Sequence, residues 1–190
     1  MKKKILTLLL ATSLTVGTIS GAVAVPDKTF VAEAAKKKKL PGIKKVHDAI
    51  KAAYSENDFA VNVALTKDEI KDMYGIPSSW YTAASAEVPM ISVNVDTLVI
   101  VKAKNSSTKK KIKKKLTEYR QSLINDTMQY PMNVLKIQAS RVYEKGDYVF
   151  FIMLGFIDQD LQQTGTESEI LDAFRAKNNK AVKAINALYK

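Results

Sequence analysis

The sequence predicts an α+β domain: an antiparallel four-stranded sheet made of two strand pairs, a long helix between the pairs packed on one face, and further helices at both ends. Three observations lead there. Residues 97–103 (TLVIVKA) and 148–154 (YVFFIML) are short apolar runs rich in β-branched and aromatic residues, the pattern of strands. Between them, Ile112, Leu116, Tyr119 and Leu123 repeat at helical spacing on an otherwise polar surface. A hydrophobic content of 46% over 190 residues is ordinary for one folded domain and excludes general disorder.

The first segment reads as an address. Met1-Lys2-Lys3-Lys4 gives a positive start, and residues 5–25 follow without a charge, the order of a secretory signal. Small-x-small cleavage patterns occur at Ala22-Val23-Ala24 and at Ala32-Glu33-Ala34. The second is favoured, because residues 26–31 make an extended approach to the peptidase, although Asp27 and Lys28 count against it. Retention as a membrane anchor is the alternative, since 21 residues are just long enough to span. Either outcome leaves the remainder outside the membrane, because the Lys cluster precedes the apolar run. The full chain carries 30 Lys+Arg against 19 Asp+Glu, a net +11; cleavage after Ala34 removes four Lys and two acids and leaves +9 over 156 residues. The expected organisation is a signal peptide over 1–34, a basic linker over 35–42 with Lys36-Lys37-Lys38-Lys39 and Pro41-Gly42, and one domain over 43–190.

The domain's elements follow in order. Ile43, Val46, His47, Ile50 and Tyr54 mark one face of a first helix. Thr66-x-x-Glu69 is a capping box for a second, short helix, with Leu65 and Ile70 as its staple and Gly75 as its stop. Residues 80–90 predict a strand, then 97–103 a second one, after which Ser107 or Thr108 caps the long helix and Pro131 ends it. Leu135, Ile137 and Ala139 alternate with Lys136, Gln138 and Ser140 and predict the first strand of a hairpin whose partner is 148–154, with the turn at Glu144-Lys145-Gly146-Asp147. Residues 155–165 read as a loop. Thr166-x-x-Glu169 caps a last helix, interrupted at Lys177-Asn178-Asn179-Lys180.

An ordered series of short motifs resembles a known family. Tyr74-Gly75-Ile76, Val88-Pro89, the run from Val95 through Asp96-Thr97 to Lys104, Leu116-x-x-Tyr119-Arg120-Gln121, Tyr130-Pro131 and Tyr148-Val149 are together similar to the uncharacterised domain-of-unknown-function family 4358 of clostridial Firmicutes. The resemblance spans roughly residues 43–155. It implies a Gram-positive cell-envelope location and a small α+β domain, and it implies no activity. Many members look like lipoproteins with a lipid-modified Cys. This chain has no Cys, so the expectation is free secretion or attachment to a wall polymer.

Chemistry is narrowed further by what the chain lacks. Without Cys it has no disulfide, thiolate nucleophile or Cys-based metal site, and its one His rules out multi-His sites. There is no Gly-x-Ser-x-Gly, no P-loop and no dinucleotide fingerprint, and Asp158-Gln159-Asp160 is too short for a calcium loop. No metal or cofactor is expected. His47 lies on an apolar stripe and reads as a packed histidine. Asp68, Glu69, Asp72, Glu87, Asp96, Glu118 and Asp126 are scattered and form no pair of fixed spacing. Trp80, Tyr81, Tyr130, Tyr143 and Tyr148 are aromatic candidates for a ligand groove, with Trp80 the most exposed. The strongest anomaly is Lys109-Lys110-Lys111-Ile112-Lys113-Lys114-Lys115, joined by Lys102 and Lys104. Cations at a helix N-terminus oppose its dipole. The expected function is therefore a non-enzymatic binding or interaction module, with a basic surface for anionic cell-wall polymer or membrane, or for another envelope protein. A secreted small hydrolase is the alternative. Nucleic acid is disfavoured by export and by the lack of a known motif.

Overall fold

The structure, a computed structural model, describes residues 39–189. The signal segment, its two cleavage patterns and Lys36 to Lys38 lie outside the described residues. Among the described residues no helix is long and apolar enough to cross a membrane. The elements are α1 (Ile43–Lys51), β1 (Val63–Ala64), α2 (Lys67–Tyr74), β2 (Tyr81–Val88), β3 (Thr97–Ala103), α3 (Ser106–Asn125), α4 (Pro131–Ala139), β4 (Arg141–Lys145), β5 (Tyr148–Met153), α5 (Gln159–Thr164) and α6 (Glu167–Leu188). Single 3-10 turns occupy Glu56–Asp58 and Ser78–Trp80.

The fold is α+β, and its sheet is antiparallel with five strands, one more than expected, in the order β1-β2-β3-β5-β4. The extra strand is β1, two residues that pair Val63 with Val88 and Ala64 with Glu87. A strand that short carries no periodic signal. β3 and β5 form the centre, with Val99 opposite Phe151 and Ile100 opposite Phe150. Leu98, Ile100, Phe150 and Ile152 pack with Val46 and Ile50 of α1 and Ala181 and Ile185 of α6. Val99, Val101, Val149 and Phe151 pack with Ile70 of α2 and Ile112 and Leu116 of α3. Helices thus cover both faces: the long helix α3 packs on one, as expected, and the terminal helices α1 and α6 on the other. A strand buried on both sides needs no alternation, so the unbroken apolar runs in β3 and β5 already carried that information.

The capping boxes form as read. Thr66 Oγ1 accepts the Glu69 N–H at 3.2 Å while Glu69 Oε2 accepts the Thr66 N–H at 2.7 Å. Gly75 closes α2 at φ +65°, the left-handed conformation that glycine tolerates. Thr166 and Glu169 repeat the box at α6. Three other expectations are corrected. The cap of α3 is Asn105, whose Oδ1 accepts the Thr108 N–H at 2.9 Å. α3 ends at Asn125, and Pro131 opens α4 instead, where its missing N–H would be unpaired anyway and its φ is preset. Residues 135–139 are therefore helix, and the first hairpin strand is β4. Five residues of alternation do not separate a strand from a half-buried helix.

α5 occupies part of the expected loop, capped by Asp158, which accepts the Asp160 and Leu161 N–H groups. α6 runs 22 residues without interruption. Asn178 faces inward there, accepting the Leu154 N–H at 2.9 Å and donating to the Ala139 carbonyl at 3.0 Å. The packed chain reaches back to Leu40, which is buried, and the Pro41 carbonyl accepts the Tyr148 hydroxyl at 2.7 Å.

The sheet has two contrasting ends. The β4–β5 turn, the end of β3 and the start of α3 share one. The β2–β3 connection and the segment after β5 share the other.

Candidate functional site

The lysines of 109–115 occupy the first turns of α3, with Ile112 fully buried between them. They spread around the helix, and several are already paired. Lys109 Nζ donates to the Gly146 carbonyl at 2.8 Å and lies 3.3 Å from Glu144, which Lys113 approaches at 2.6 Å. Lys113 first, and Lys109 with it, hold the Glu144 carboxyl below the usual range against the opposing effect of burial. Lys114 and Lys115 share Glu118 at 3.8 and 3.0 Å. Lys102 stands 3.6 Å from Asp147 and 5.6 Å above the Tyr148 ring. Lys104, Lys110 and Lys111 are exposed, and among the described residues none of them has a carboxylate partner. The unneutralised charge is therefore narrower than the run of seven positions implies.

Trp80 is half-buried rather than the most exposed aromatic. It packs on the α3 side of the core, and Lys111 Nζ sits 5.4 Å from its ring centre. Tyr81 and Tyr148 are buried, Tyr143 donates to Asn186, and Tyr130 is exposed, so these five aromatics line no common groove. His47 Nε2 lies 3.0 Å from Glu87 and its ring meets Phe59 edge-on. The scattered carboxylates are occupied separately: Glu69 by its cap, Glu87 by His47, Glu118 by lysines. Among the described residues no three His, Cys, Asp or Glu side chains stand close enough to hold a metal ion.

The other end of the sheet holds a cluster that sequence reasoning missed. Three successive N–H groups after β5 meet three side chains from distant elements. Leu154 donates to Asn178, Gly155 to Asp96 Oδ2 at 3.1 Å, and Phe156 to Asp58 Oδ1 at 3.3 Å. Asp58 also receives Lys177 Nζ at 2.9 Å and lies 3.7 Å from Lys180. Burial pulls the Asp58 carboxyl upward, but Lys177, the Phe156 N–H and Lys180 outweigh it and leave it low. Asp96 is fully buried and forms an ion pair with Lys136, whose side chain is only 5% exposed. Burial pushes the Asp96 carboxyl up against the pull of Lys136 and the Gly155 N–H. Gly155 has φ +91°, a conformation that favours glycine, and the stem of Lys177, 3.1 Å from where a Cβ would lie, would have to give way to a side chain.

Around this cluster the surface is apolar. Met90, Ile91, Val93, Met132 and Phe156 are exposed. A cavity of about 160 Å³ between Met132, Lys136, Phe156 and Phe174 adjoins a wider cleft of about 520 Å³ beside Phe59, Met90 and Ile91. Lys136, one of the alternating polar residues of the expected hairpin strand, is instead buried in α4. The signal that could have found it is Tyr130-Pro131 as a helix start, which puts Asn133, Lys136 and Ile137 on one inward face.

No curated protein and no solved structure matches the chain. A family model described as Domain of unknown function (DUF4358) matches residues 55–154, which is 100 of the 190 positions. The matched stretch contains all five strands, α2 to α4, the lysine run, and Asp58, Asp96 and Lys136. With more than half its length matched, this chain belongs to the family Domain of unknown function (DUF4358).

Proposed function

We propose that the chain is an exported, non-enzymatic binding module of a Gram-positive, Firmicutes-type cell envelope that holds anionic envelope material at its basic end. One observation carries this reading: the unpaired lysines and the entry of the chain share the same end of the sheet. Pro41 is bonded to Tyr148, and Lys102 lies over that tyrosine ring. Lys36 to Lys39 immediately precede Leu40 in the sequence, so few residues of chain separate them from the end that displays Lys104, Lys110 and Lys111. A signal peptide removed after Ala34 or Ala24, or kept as an anchor, leaves these four lysines in the chain immediately before Leu40. The net charge, +11 in the full chain and +9 after cleavage at Ala34, gives long-range attraction for a polyanion or an anionic membrane surface.

A hydrolase has less support. Asp58 and Asp96, which bind adjacent backbone N–H groups, are committed to these and to ion pairs, and neither lines the neighbouring cavity.

The test is co-sedimentation with purified wall polymer in one arm and with anionic or neutral vesicles in the others. Each lysine near an anionic surface contributes about 1 kcal/mol. Changing Lys104, Lys110, Lys111 and Lys114 together to Gln should weaken binding ~100-fold or more. Melting should stay within about 0.5 kcal/mol of wild type, as for exposed substitutions generally. Binding should also weaken steeply with salt, because exposed charges are screened beyond about 8 Å at physiological ionic strength. Undiminished binding by the fourfold variant would overturn the assignment. The arm that retains the protein identifies the material.

A further inference from the structure

The cavity at the opposite end has its own chemistry, independent of the basic end. Its walls are Val93, Met132, Phe156, Ile157 and Phe174, and Lys136 is its one charged residue. An ammonium has three N–H donors. Asp96 Oδ1 takes one, and among the described residues Lys136 Nζ has no second oxygen acceptor. The remaining donors face aromatic rings, with Phe156 at 4.5 Å and Phe174 at 5.7 Å from the nitrogen. Ring faces attract a cation but do not replace a hydrogen-bond acceptor. A buried cation with spare donors, lining an apolar cavity, favours an anionic oxygen group and repels a cation.

The surroundings agree with one negative charge. No carboxylate lines the cavity; its remaining polar walls, Asn94, Asn133 and Gln162, are neutral. Close by, Lys136 balances Asp96, while Lys177 and Lys180 together exceed Asp58 by one charge. Val93, Asn94 and Phe156 also line the wider cleft, so the two spaces are neighbours that share these walls. That cleft is largely apolar, and its one charged wall is Glu56. A second carboxylate on the ligand would meet that acid. A phosphate dianion would need more donors than one lysine supplies.

We propose that this cavity binds a small aliphatic monocarboxylate, its carboxylate on Lys136 Nζ and its chain passing Phe156 toward Met90 and Ile91. The wider cleft, about 520 Å³, is by itself of the size that small-molecule sites have, roughly 300–1,000 Å³.

Decanoate below its micelle concentration is the probe, titrated into the full exported chain by calorimetry and by amide chemical shifts. Saturable one-to-one binding is expected, with shifts centred on Asn133, Lys136 and Phe156. Decanol should bind about 10-fold or more weakly, since a charge-assisted hydrogen bond is lost, and decyltrimethylammonium should not compete. Met132→Glu, at an exposed rim position, should weaken decanoate by about 10-fold, whereas Met132→Lys should not. The paired change of Asp96→Asn with Lys136→Met removes both buried charges and should reduce decanoate to the level of decanol. If that pair does not fold, the two Met132 variants decide. Equal affinity for decanoate and decanol, indifference to the sign of charge at residue 132, or no binding at millimolar ligand would each overturn the proposal.

Discussion

Asp58 and Asp96 grip adjacent residues of one backbone segment, yet their charges respond to acid in opposite directions. The Asp58 carboxyl is low in the folded state, so between that value and the ordinary 3.8 the unfolded chain binds more protons. Its stabilising contribution is present above about pH 4 and disappears as pH falls through the native value. The Asp96 carboxyl is high, so above 3.8 the folded chain takes up the proton first, and stability rises as pH falls through that window. Urea midpoints across pH should therefore show a gain above about pH 4 that Asp96→Asn removes, and a loss below it that Asp58→Asn removes. At pH 7, Asp58→Asn should cost about 1.5–3 kcal/mol, the range for a hydrogen bond to a charged group. An acid limb unchanged by Asp58→Asn would contradict this account. These residues were the least legible in the sequence for a physical reason. Asp58 meets Lys177 across 119 positions and Asp96 meets Gly155 across 59, and nothing local to either residue announces the contact.

Elements whose signals are local were read correctly. Thr66 with Glu69 and Thr166 with Glu169 lie one turn apart, so the box is complete within the segment it caps. The α3 stripe was legible because four apolar residues repeat over three turns; Tyr119 meets Phe151 edge-on at 5.3 Å, and Ile112 and Leu116 are fully buried. α4 was misread because its nine residues must satisfy two neighbours. Ile137 joins the α3 side of the sheet while Leu135 and Ala139 meet α6, and those two demands imitate a period of two. The lysine run was found, but two of its partners, Glu144 and Gly146, lie outside the helix and leave no local signal. Leu116→Ala should lower unfolding free energy by about 2–5 kcal/mol, as for other buried leucines. The fourfold lysine variant, three of whose positions lie on the same helix, should leave it almost unchanged. A melt in which Leu116→Ala matches wild type would mean that α3 does not close that face.

At the scale of the molecule, both ends of the described chain reach the basic end of the sheet. Leu40 and Pro41 enter there, and Tyr189 packs under Gly146 with Lys145 over its ring. The apolar cleft lies at the other end, away from any surface that the lysines would engage. Trp80, the single Trp of the sequence, reports directly on the engaged end because Lys111 stands over it. The most direct test is its fluorescence during titration with the anionic material that retains the protein in sedimentation. The account predicts a saturable change in Trp80 emission, absent with neutral vesicles and reversed by roughly half-molar salt, where the screening length falls to a few ångströms. Binding that leaves Trp80 emission unchanged would place the contact elsewhere on the molecule and contradict it.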